Sequence, residues 1–127
     1  MSIQSIMTAD ESGKEMVEYA QQVAQALVRN GLTRSQIRTI FTEVRQIEAM
    51  WGASHQKEAL RRLVMLKPKL AYQTARTSSM DLLQKELTAA IDEVEKANAE
   101  QKDAAFQRFV DFFEAILAYH RANGGRS

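Results

Sequence analysis

Apolar residues recur along this chain every three or four positions, the spacing that lines one side of a helix. Met16, Ala20, Val23 and Leu27 form one such stripe, flanked by Val17, Ala24 and Val28. Ile37, Ile40, Phe41, Val44, Ile47 and Trp51 form a second. Leu60, Leu63 and Val64 mark a third, and Leu70, Ala71 and Thr74 the inner side of a fourth. Leu83, Leu87, Ala90, Ile91 and Val94 follow, then Phe106, Phe109, Val110, Phe113, Ile116 and Leu117. No alternating, β-branched run interrupts them, so no sheet is expected.

Polar residues punctuate the stripes. Ser12 with Glu15, and Thr33 with Gln36, have capping-box spacing, and Ser54 and Ser78–Asp81 are further helix starts. Asn30-Gly31, Gly52 and Gly124-Gly125 are stops. Pro68, the single proline, fits the first turn of a separate helix, where its missing N–H costs nothing. Short connections imply antiparallel neighbours. The reading is all-α: one domain over residues 1–127, a bundle of five to six helices, frayed at about 1–10 and 123–127.

The last helix carries more apolar surface than one stripe needs, with Phe112 and Tyr119 at the edge of the main row. Such width means either a central helix or one that also meets a partner chain, and central packing is the reading taken. Met50, Met65 and Met80 are read as gap-fillers. His120, on the apolar face near a helix C-terminus, is read as structural.

Charge changes the picture. Between Arg29 and Arg76 lie ten Lys/Arg and three acids, a net +7, while the segments before and after each carry −3. The chain's near-neutral total of +1 conceals this block, which reads as a footprint for a polyanion. The alternative is solvated helix faces that happen to differ in charge. Arg34, Arg38 and Arg45 project within about 40° of one another at roughly 100° per residue. Lys57 and Arg61 share a face, as do Lys69, Tyr72 and Arg76. A tyrosine between cations suits single-stranded nucleic acid, with phosphates neutralised and a base stacked. It equally suits a half-buried ring whose hydroxyl reaches water. Arg38, Arg45, Lys69 and Arg76 are expected to align as one surface.

Catalytic constellations are scarce. With no cysteine there is no disulfide, thiolate metal site or thiol nucleophile. His55 and His120 have no partner ligands at metal spacing. Asp92, Glu93 and Glu95 form the densest acid cluster, with Asp92 and Glu95 at i, i+3, and could in principle bind Mg²⁺, but Lys96 adjoins them and no supporting set is visible, so a solvated acidic face is preferred. Phosphate loops and nucleophile elbows are absent. The expectation is no enzyme, no cofactor and no metal. The N-terminal residues lack signal-peptide character, and no apolar run is long enough for a membrane span, so the cytoplasm is the expected compartment.

NGLTRSQIRTIFTEVRQIE (residues 30–48) and LVMLKPKLAYQTAR (residues 63–76) together resemble the small subunit of type III-A CRISPR interference (Csm) complexes. The marks are the helix start from Leu32 to Arg38, the block from Leu66 to Tyr72, and Ala75-Arg76. The resemblance implies a non-catalytic helical subunit, in several copies along the filament of a crRNA-guided effector. Its partners would be crRNA and target RNA, other Csm subunits and copies of itself. With the bottom-up reading, it makes Arg34, Arg38, Arg45, Arg61, Lys67, Lys69, Tyr72 and Arg76 the RNA-binding candidates. Arg38 could equally brace the bundle through an ion pair with Glu43 or an acid elsewhere. The alternative function is a helical protein–protein adaptor whose basic face docks an acidic partner.

Overall fold

The computed structural model describes residues 2–126, and within them the chain is all-α. Its helices are α1 (Ile3–Thr8), α2 (Lys14–Arg29), α3 (Arg34–Gly52), α4 (Gln56–Arg76), α5 (Asp81–Lys96) and α6 (Lys102–Ala122), with a 3-10 turn, Ser78–Met80, leading into α5. Six helices match the expected number for two offsetting reasons.

The first is α1, which lies where fraying was expected. Ser2 and Ser5 cap each other, side chain to backbone N–H in both directions, and Ile6 and Met7 are buried. Six residues are too few for a periodic signal, and α1 is held by packing on α5 and α6. At the other end, Gly125 is buried, and the Arg126 carbonyl accepts from the Arg34 N–H at 2.7 Å. Met1 and Ser127, also in the segments expected to fray, lie outside the described residues.

The second is Pro68, which sits inside α4 rather than opening a helix of its own. Lacking an N–H, it leaves the Val64 carbonyl without its helical donor. Leu63, Leu66 and Leu70 are almost wholly buried on either side of the break, so tertiary packing carries the helix through it. Ala71, expected on the inner side, is exposed.

Capping is partly as expected. Thr33 and Gln36 form their box, with bonds of 3.2 and 2.9 Å. At α2 the work falls to Asp10, whose carboxylate accepts from the N–H groups of Glu15 (3.3 Å) and Met16 (2.7 Å); Ser12 reaches only the Lys14 N–H. Ser54 does not cap α4: it sits at φ 70° in the left-handed region, and His55 precedes the helix without a side-chain cap.

α6 packs against α1, α2, α3 and α5, which makes it the central helix. Its width is therefore filled from within. Phe112, placed at the stripe's edge from sequence, is fully buried, its ring centroid 5.8 Å from that of Tyr19. Phe113 meets Phe41 edge-on at 5.1 Å, and Trp51 stacks on Phe106 at 4.2 Å. His120 is also fully buried, with Nε2 2.7 Å from the Leu32 carbonyl. A carbonyl only accepts, so the proton is on Nε2. The bond ties the end of α6 to the α2–α3 connection.

Candidate functional site

The basic segment folds into α3 and α4, and α3 lies between α4 and α6. The exposed ridge of α3 thus has a groove on each side. On the α6 side Arg34, Arg38 and Arg121, with the acid Glu114, stand around Leu117, Ala118 and Ala122 in a groove of about 490 Å³. On the α4 side Thr39, Ile40 and Glu43 face Met65, Leu66, Pro68, Lys69 and Tyr72 across about 430 Å³. The four cations expected to align are divided between them. Arg38 and Arg45, seven residues apart, belong to the α6 side, and Lys69 and Arg76 to α4.

Several candidate cations already hold acids. Arg45 bridges Glu48 (2.8 Å) and Glu114 of α6 (2.7 Å), with its guanidinium 4.7 Å from the Phe41 ring centroid. Hydrogen bonding to Glu48 leads the causes that push its pKa up. Glu43 takes Lys69 at 2.9 Å and Arg62 at 3.0 Å, locking α3 to α4. The Lys69 bond is the main reason its carboxyl titrates below the usual range. Arg38 is therefore not Glu43's partner. Lys67 is turned the other way, to Asp92 and Glu95 on α5, each at 2.5 Å, and Asp92 is the first cause of its raised pKa. Both carboxylates of the one possible Mg²⁺ pair are thus bound to an ammonium. No cluster of three or more metal-ligating side chains occurs among the described residues.

Three of the remaining cations are more open. Arg38 and Arg61 are exposed and have no carboxylate partner among the described residues. Arg76 is exposed too, its guanidinium 5.7 Å from the ring centroid of Tyr72, itself 61% exposed. Arg34 is half-buried at the start of α3.

Sequence reasoning missed two members of this surface. Arg121, in the last turn of α6, completes the arginine groove although it comes from an acidic segment. Its signal was local, a cation favoured by the helix C-terminus. Met65, read as a gap-filler, is 48% exposed and lines the α4 groove, whereas Met80 is buried. Its position on the same side as Pro68 and Tyr72 was the available signal.

Among the described residues no helix is long and apolar enough to cross a membrane. The chain matches no curated protein and no solved structure significantly. It does match a family model, Csm2 Type III-A, over residues 10–126.

Proposed function

From the premise that this chain belongs to the Csm2 family, and so is a small subunit of a type III-A CRISPR effector, we propose that it is a non-catalytic RNA-binding subunit. It contacts the crRNA–target RNA path through the arginine groove between α3 and α6, in several copies along a cytoplasmic complex. The observation that carries this reading is Arg38, an exposed cation with no acid bound to it among the described residues, set in one groove with Arg34 and Arg121. Guanidinium groups neutralise phosphates along a backbone without reading bases, which suits a subunit that must accept any guide. Arg45 extends the row by exchanging Glu114 for phosphate, since that ion pair is solvent-exposed and weak. Lys67 contributes to stability instead, and its hold on Asp92 and Glu95 supports the non-catalytic reading by occupying the acids considered for Mg²⁺.

The test is affinity of the purified full chain for guide–target duplex and for single-stranded RNA across a salt series. Binding should weaken steeply with salt and show little dependence on sequence. Binding that ignores salt would overturn the reading. The adaptor reading keeps one observation of its own, the exposed apolar residues of the α4 groove.

A further inference from the structure

Three large hydrophobic side chains are exposed among the described residues, and two of them, Met65 and Tyr72, line the groove between α3 and α4. Pro68 lies between them, exposed, so Met65, Pro68 and Tyr72 make an i, i+3, i+7 stripe on the outside of α4. Arg61 and Arg76 continue that stripe by four residues at either end. At 1.5 Å per residue they stand about 22 Å apart along the axis. The groove floor is apolar, with Ile40 and Leu66.

We propose that this groove docks an amphipathic helix of a neighbouring effector subunit, one with an apolar stripe and carboxylates at both ends. The match is one of pattern and charge. An apolar helix face anchors at i, i+3, i+4 and i+7 in such grooves, and the cations at the two ends set the polarity of its flanks. Glu43, the acid lining the groove, is already held by Lys69 and Arg62, so the surface offered to a partner stays positive. The Val64 carbonyl, deprived of its donor by Pro68, adds an acceptor on the same side.

RNA is the lesser fit here. Met65 and Pro68 give a phosphate chain nothing to bind. Arg76 lies over the Tyr72 ring, where a stacked base would have to displace it. The stacking role anticipated for Tyr72 is thereby replaced by an anchoring role. This inference rests on membership of a multisubunit effector and is independent of whether α3 binds RNA.

The experiment reconstitutes the effector from its remaining subunits and titrates in the full-length chain, with RNA affinity of the isolated chain measured in parallel. Met65→Gln/Tyr72→Gln removes the apolar anchors without changing charge, and both sites are exposed, so helicity by circular dichroism should be unaltered. Incorporation should weaken tenfold or more while RNA affinity stays within twofold. Arg61→Glu/Arg76→Glu should weaken incorporation comparably. A photo-crosslinking residue at Met65 in the assembled effector should give an adduct with a different protein subunit. Unchanged incorporation of Met65→Gln/Tyr72→Gln would overturn the proposal. So would a fall in RNA affinity in step with incorporation, or a crosslink to RNA or to a second copy of this chain. Failure of the RNA reading shows separately, as insensitivity of RNA binding to Arg38→Ala.

Discussion

Glu86 on α5 is half-buried and accepts the Tyr19 hydroxyl on both carboxylate oxygens, at 3.0 and 2.8 Å. Burial raises its pKa, and the Tyr19 bond only partly opposes that; the same burial pushes the Tyr19 hydroxyl up. The unfolded chain releases this proton near the ordinary glutamate value of about 4.3, the folded one at higher pH. Between the two the native state binds more protons, so stability falls as pH rises through that window and is level above it. Glu86→Gln should therefore gain stability over the wild type at pH 7, and the gain should vanish by about pH 4. Urea unfolding at the two pH values checks the sign. Phe112→Ala should cost about 3–5 kcal/mol, as a fully buried ring does, and Tyr119→Ala clearly less. Residue-level burial was legible for Phe109 and Phe113, deep in a strong stripe, but not for Ala71, placed on the inner side of α4 and in fact exposed. Nor was it legible for Phe112, whose ring is met by Tyr19 of α2, an element far away in sequence.

At the scale of elements, the helices with strong stripes and a local stop (α2, α3, α5 and α6) were readable from the chain. Those misjudged depend on contacts distant in sequence. α1 has no stripe and exists because α5 and α6 cover Ile6 and Met7. α4 runs through Pro68 because its leucines are buried on both sides. A helix-breaking residue kept in a helix is a local conflict of the kind found at functional surfaces, and Pro68 lies in the proposed docking groove. Pro68→Ala restores the donor to Val64 and should raise stability by about 1–3 kcal/mol, read as a higher urea midpoint with an unchanged slope. Glu43→Gln acts oppositely, by releasing Lys69 and Arg62 from α3. A depressed carboxylate stabilises above its unfolded pKa and loses that contribution as pH falls. The variant should be weaker by about 0.5–1 kcal/mol at pH 7 and indistinguishable from the wild type once Glu43 is protonated in the fold.

For the whole molecule, the +7 block was plain in the sequence, but its division of labour was not. Lys67 and Asp92 are 25 residues apart, Lys69 and Glu43 are 26, and Arg45 and Glu114 are 69. Counting charge along the chain cannot show which cations the fold consumes, because Asp92, Glu95 and Glu114 of the C-terminal segment fold back onto the block and Glu43 inside it takes two cations from another helix. Of the exposed arginines outside those pairs, Arg38 and Arg121 border the α6 groove and Arg61 and Arg76 lie along α4. A subunit with two such faces can hold RNA on one and a neighbouring protein on the other. The RNA face makes the sharper prediction. Removing a cation that neutralises one phosphate should lower the slope of log K against log salt by about 0.7–0.9, whatever the RNA sequence. Arg38→Ala and Arg121→Ala should each show that change, with helicity intact, since both side chains are exposed. Arg45→Ala should show a smaller one, because phosphate competes there with Glu48 and Glu114. Lys67→Ala should leave the slope unaltered and instead lower stability, since Asp92 and Glu95 lose their shared cation. The measurement is RNA affinity over a salt series for these four variants beside the wild type. If Lys67→Ala alone reduced the slope, phosphates would have to reach the α4–α5 side of the bundle, and the arginine groove would lose its claim to the RNA.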